Sequence, residues 1–128
     1  MTTATLFGLA LAPLYAAIAQ VESDRGATSA NVYQIRKIYV DDVNRIIQND
    51  RICSFPFEQT DNQSKARSEI MMSIYWRHWG VHYQQKTGNP VTYEVLARIH
   101  NGGPLGWKKP ETLVYWQKVK AIMEGGAK

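Results

Sequence analysis

Glu22 is the acidic residue whose setting best suits chemistry. It closes the run Leu14-Tyr15-Ala16-Ala17-Ile18-Ala19-Gln20-Val21-Glu22-Ser23. On a helix, Tyr15, Ile18 and Glu22 fall at i, i+3 and i+7, so the carboxyl continues an apolar stripe. Desolvation and the negative end of a helix dipole both favour the protonated form of a carboxyl. A proton held near neutral pH is what a general acid donates. The plain alternative is a solvated glutamate at a helix end. Two further carboxylates, Asp24 and Asp42, are candidates to work with it. His78 and His82 have the i, i+4 spacing of a metal-binding pair. No acid or third histidine lies close to them in sequence, so no metal or other cofactor is expected. Residues 100–104, His-Asn-Gly-Gly-Pro, form a turn in which paired glycines let a ligand approach the backbone. The competing reading of His100 and Asn101 is that they merely cap the preceding helix.

These residues need elements to hold them. Ala, Leu and Gln favour helix across residues 14–23, and no Gly or Pro interrupts them. Pro13 suits the helix start and Gly26 its left-handed end. Residues 27–35 are ambiguous between an extended segment and a helix entry. Residues 36–49 read as a helix with Ile35, Ile38, Tyr39, Asp42, Ile46 and Ile47 near one side. There Asp42 is either a cleft carboxylate or a surface partner of Arg45 at i+3. Residues 50–63 predict an irregular connection with Phe55 and Phe57 packed down. Residues 64–86 carry the longest helical pattern, with Ser64 as N-cap and Ile70, Ile74, Tyr75 or Trp76, His78 and Val81 recurring. Within it Gly80 predicts close packing or a bend, and Gly88 with Pro90 ends the helix. A short helix over 91–100 turns Val95, Leu96 and Ile99 inward. The last helix begins at Pro110 and Glu111. It is apolar on both sides, which predicts that it is well buried.

The chain has 128 residues, 45% of them hydrophobic, which suits a single domain over 1–128 with a real core. Its formal charge of +4 favours polyanionic surroundings. With no run of five basic residues and no basic face with interleaved aromatics, nucleic acid is not an expected partner. Cys53 is the single cysteine, so no intramolecular disulfide and no multi-cysteine zinc site can form. The apolar residues 6–18 imitate a signal-peptide core, but residues 1–5 carry no basic side chain. The run is also short for a bilayer span, so it reads as part of the domain and no stable membrane insertion is expected.

Several blocks together resemble a known family. Ala97-Arg98-Ile99-His100-Asn101-Gly102-Gly103-Pro104-Leu105-Gly106-Trp107 is followed by Thr112-Leu113 and Tyr115-Trp116-Gln117-Lys118-Val119. This closely resembles the C-terminal block of invertebrate-type lysozymes, the destabilase family. Val21-Glu22-Ser23 resembles the family's Val-Glu-Ser, whose Glu is the general acid. Tyr33-Gln34-Ile35 with Tyr39 and Asp42 resembles its aromatic-Gln-Ile, Tyr and Asp pattern. The blocks occur in the family's order. The family is rich in disulfides, whereas Val43, Tyr93 and Trp107 stand here where its cysteines fall. The family also places a small hairpin with its second catalytic carboxylate after the acid. Here the segment between Glu22 and Tyr33 is short, with Asp24 its one acidic residue. In this the chain is also similar to goose-type lysozymes and soluble lytic transglycosylases, and in the transglycosylases one Glu does all the acid/base work.

The resemblance implies a mainly α, lysozyme-like α+β fold with a reduced or absent β-hairpin and about five helices around a substrate cleft. It implies a peptidoglycan-cleaving glycosidase acting on the β-1,4 bond between N-acetylmuramic acid and N-acetylglucosamine, with chitin-like oligomers as a further substrate. Glu22 would be the acid, and Asp24 or else Asp42 the second carboxylate. Tyr33, Gln34, Asp42, His100, Asn101 and Gly102 would bind the glycan. The alternatives are a lytic transglycosylase using Glu22 alone and a non-catalytic glycan-binding module. An isopeptidase using Ser23 and His100 finds no nucleophile-elbow spacing in its favour. A wall-cutting enzyme would work in the periplasm or outside the cell.

Overall fold

The computed structural model describes residues 4–125. Five helices follow a small hairpin. The strands β1 (Thr5–Leu6) and β2 (Leu9–Ala10) pair antiparallel, with Leu6 opposite Leu9. Phe7 and Gly8 both have positive φ, 54° and 76°, as a tight two-residue hairpin turn requires. The apolar start of the chain is therefore not helical throughout. Helix α1 begins only at Ala12 and runs to Asp24, with Pro13 in its first turn. The hairpin packs on the rest of the fold. Tyr93 Oη donates to Ala10 O at 2.7 Å, and a Cβ on Gly80 would lie 2.6 Å from the Phe7 ring. Gly80 is thus a close-packing glycine.

Helix α1 ends in a Schellman arrangement. Ala27 N donates to Glu22 O at 2.9 Å, Gly26 N donates to Ser23 O at 3.2 Å, and Gly26 has φ of 95°. The carbonyl of Glu22 is locked by this closure. Residues 25–36 then cross the molecule without regular structure. Asn31 clamps this stretch through Ile35, accepting from its N and donating to its O, both at 3.0 Å.

Helix α2 (Lys37–Asn49) buries Tyr39, Val40, Asp42, Val43, Ile46 and Ile47. Ile38, expected on that face, is 78% exposed, because the buried stripe is set one position on. After α2, Phe57 packs against the core but Phe55 is exposed, so only one of the two phenylalanines is packed down. A 3₁₀ turn (Gln59–Gln63) leads to α3 (Lys65–Thr87), where the Ser64 hydroxyl accepts from Arg67 N at 3.1 Å. This helix buries Met71, Met72, Tyr75 and Trp76, while Ile70 and Val81 lie on its exposed side. Helix α3 is apolar on more than one face, so periodicity alone points to the wrong stripe. Gly88, with φ of 73°, ends it.

Helix α4 (Tyr93–Gly102) is capped by Thr92 and buries Val95, Leu96, Ala97, Ile99 and His100. It continues two residues further than expected, so Asn101 and Gly102 are also helical and the break falls at Gly103, with φ of 89°. A second 3₁₀ turn (Gly106–Lys108) reaches α5 (Pro110–Met123). Helix α5 buries Thr112, Tyr115 and Val119 on one face, with Leu113 and Val114 exposed. It is a covering helix rather than a central one, because only that face is buried.

The core contains a ladder of aromatic rings. Tyr15 stacks on Trp76 at 5.7 Å, and Tyr39 stacks on Tyr75 at 4.0 Å. Val43 is fully buried, Tyr93 holds the hairpin, and Trp107 meets the Tyr83 ring edge-on at 5.1 Å. Apolar and aromatic packing thus occupies the three places at which the resemblance leads cysteines to be expected. Among the described residues, no helix is long and apolar enough to cross a membrane.

Candidate active site

A cleft of about 690 Å³ opens between the end of α1, the first turns of α2, the middle of α3 and the end of α4. Glu22, Gln34, Asp42, His100, Asn101 and Gly102 all line it. Residues far apart in sequence meet here because α1 and α4 deliver their C-terminal turns to one place.

Glu22 is 4% exposed. A buried carboxyl needs polar partners, and these gather on one of its oxygens. Tyr115 Oη donates to Glu22 Oε2 at 2.7 Å. His100 Nε2 and Arg25 Nη1 each stand 3.9 Å from the same oxygen. Burial and the neighbouring Glu22 push the Tyr115 hydroxyl far above the usual tyrosine value, so it remains a donor. The Arg25 guanidinium lies over the Tyr115 ring, 5.2 Å from its centroid. Among the described residues no group hydrogen-bonds Oε1.

His100 is buried, and both its ring nitrogens are engaged. Tyr33 O is a carbonyl and can only accept, so His100 Nε2 carries the hydrogen in their 3.0 Å contact. Nδ1 then accepts from Tyr39 Oη at 3.2 Å. Burial lowers the imidazole's pKa, with Glu22 and the Tyr33 carbonyl opposing the shift and Arg25 reinforcing it. A neutral ring fits both hydrogen bonds, so the 3.9 Å approach to Glu22 is not an ion pair. This leaves no nitrogen free to activate Ser23, which is exposed.

Asp42 is also buried. Its Oδ2 accepts from Trp79 Nε1 at 2.9 Å, and its Oδ1 takes a short bond from Arg45. The surface pairing with Arg45 and the cleft position are therefore both present. Asp24 is exposed and does not line the cleft, because it lies two residues beyond Glu22 and so points away around the helix. Tyr33 is fully buried and is not a cleft side chain either. Its hydroxyl donates to Glu69 Oε2 at 2.5 Å, and only its carbonyl serves the site, by holding His100. Gln34, in contrast, faces the cleft with φ of 51° and donates to Arg25 O at 3.2 Å. Tyr15, aligned with Glu22 on the helix, bonds Ser73 at 2.7 Å instead.

Sequence reasoning passed over Tyr115, Trp79 and Tyr75. Tyr115 is 93 positions from Glu22, and no local pattern joins them. Arg25, Arg36, Arg45 and Lys109 also line the cleft and give it a basic rim. His78 and His82 lie elsewhere, beside Cys53 in a separate pocket, with His78 Nδ1 2.7 Å from Asp50 Oδ2. Among the described residues, no three potential ligands cluster as a metal would require.

No protein-family model matches the chain. It is 30% identical to a lysozyme of Meretrix lusoria over 99 residues, 77% of this chain and 71% of that protein. It is 30% identical to invertebrate-type lysozyme 6 of Caenorhabditis elegans, covering 77% of this chain and 70% of that one. A lysozyme of Magallana gigas is 32% identical over 71% of this chain, which spans 58% of that longer protein. The fold matches a chain in the crystal structure of Aeromonas hydrophila PliI in complex with Meretrix lusoria lysozyme. The TM-score is 0.65 at 24% identity, covering 91% of this chain and 94% of that chain.

Proposed function

The chain belongs to the invertebrate-type lysozyme family, and from that premise we propose that it is a glycosidase that cleaves peptidoglycan with Glu22 as general acid. Glu22 gives a proton to the oxygen of the β-1,4 bond between N-acetylmuramic acid and N-acetylglucosamine. The leaving sugar departs as positive charge develops at the anomeric carbon, and water then adds there and returns a proton to Glu22. Asp42 is the carboxylate available to stabilise that charge, in place of Asp24. Both Asp42 oxygens already accept hydrogen bonds, which fixes its orientation. Gln34, Asn101 and Gly102 offer amide and backbone groups to the N-acetyl substituents, while Tyr39, Tyr75 and Trp79 give apolar faces. The basic rim suits an anionic wall polymer.

The observation that carries this reading is the sharing of one cleft by buried Glu22, Asp42 and residues 100–102. Glu22→Gln should lower clearing of purified cell walls by about 10²–10⁴-fold while the protein stays folded. Equal clearing by the variant would overturn the reading. Mass spectrometry of the parent digest separates the alternatives. A reducing sugar means hydrolysis, an anhydro sugar means a transglycosylase using Glu22 alone, and binding without product means a glycan-binding module. The structural relative comes from a complex between PliI and a lysozyme, so PliI is also a candidate partner of this protein. Titrating PliI into the protein tests it.

A further inference from the structure

We infer that Tyr115 is the positioning residue of the acid, holding Glu22 by Oε2 so that its transferable proton sits on Oε1. This rests on Glu22 being the general acid. The contact is specific in kind: a buried phenol on α5, 4% exposed, reaches a buried carboxyl on α1, also 4% exposed, at 2.7 Å. In the acid form of Glu22 the oxygen that accepts from the phenol is the carbonyl oxygen, so the hydrogen is carried by the other one. Oε1 is also the oxygen with no hydrogen-bond partner among the described residues. Tyr115 is itself held, by the Arg25 guanidinium over its ring and by burial of its helix face beside Thr112 and Val119.

The same bond favours proton transfer. When Glu22 gives its proton to the glycosidic oxygen, it becomes a carboxylate. A hydrogen bond to an ionised acceptor is about twice as strong as one between neutral groups. Tyr115 therefore binds the transition state better than the ground state, and its loss belongs in kcat rather than in KM. The charged or titratable groups facing Glu22 are Arg25 just past the end of its own helix, His100 from α4 and Tyr115 from α5, with Asp42 of α2 lining the same cleft. Of these, Tyr115 alone makes a hydrogen bond to its carboxyl.

Tyr115→Phe keeps the ring and removes the donor. On purified peptidoglycan, kcat should fall ~10-fold with KM within about twofold. The alkaline limb of the pH–rate profile should move to higher pH, because a donor that favours the carboxylate has gone. Val119→Ala, on the same buried face of α5, is the packing control. It should lower the melting temperature without moving that limb. The inference is overturned if folded Tyr115→Phe keeps the parent kcat and profile, or if its kcat falls with the limb unmoved, as in Val119→Ala. Glu22→Gln is assayed alongside. If Glu22→Gln stays active, the assignment of the acid fails. If it is inactive and Tyr115→Phe is unchanged, only the role of Tyr115 fails.

Discussion

Asp24 and Asp42 show how position decides the use of a carboxyl. Asp24 is close to Glu22 in sequence but solvated, whereas Asp42 is buried at the cleft and held by Trp79 and Arg45. Asp42→Asn should therefore lower wall clearing by about 10²-fold or more, by analogy with other groups that stabilise transition-state charge. Asp24→Asn should leave clearing within about twofold, since an exposed side chain outside the cleft stabilises nothing there. Rates of the two variants on the same wall suspension decide the matter, and the reverse ranking would return the second role to Asp24. Glu22 was legible in the sequence through its stripe and its Val-Glu-Ser block. Its hydrogen-bond donor was not, because helical spacing relates a residue only to its own turn and its neighbours.

Among the elements, the ends of helices matter most here. The Schellman closure of α1 fixes the backbone of Glu22, and the last turn of α4 carries His100 and Asn101 onto the cleft wall. The 3₁₀ turn between α4 and α5 is held by a close approach at Gly106. A Cβ there would collide with the backbone carbonyl of Arg98, while Thr112 Oγ1 donates to Gly106 O at 2.5 Å. Gly106→Ala should cost about 1–3 kcal/mol, the usual penalty of overpacking, because a backbone carbonyl cannot swing aside as a side chain can. A urea melt measures it, and an unchanged midpoint would show that the turn relaxes freely. Helix positions, the Ser64 cap and the Pro110 start were readable from propensity and capping rules. The buried face of α3 was not, because apolar residues surround that helix and only its neighbours choose among them.

Across the whole molecule, acid stability should depend on His100, which joins α4 to α2 and to the Tyr33 loop. Burial holds its pKa below the ordinary 6.5. Below about pH 6.5 the unfolded chain takes up a proton that the folded ring refuses. The stability tied to this group is complete above that pH and is lost as pH falls through the folded value. The melting temperature should drop between about pH 7 and about pH 5, and His100→Gln should flatten that part of the curve. A parent curve as flat as the variant's would contradict the buried neutral ring. The sequence by itself determined the five helices, the half-apolar setting of the carboxyl at the end of the first and the lysozyme-like block around His100, because each is written in local spacing, propensity or a contiguous motif. Tertiary structure alone decided that Asp42 rather than Asp24 shares the cleft, that Tyr33 serves through its carbonyl, and that Tyr115 grips Glu22. Those are contacts between segments distant in the chain, and they arise only when packing of the core fixes how the helices cross.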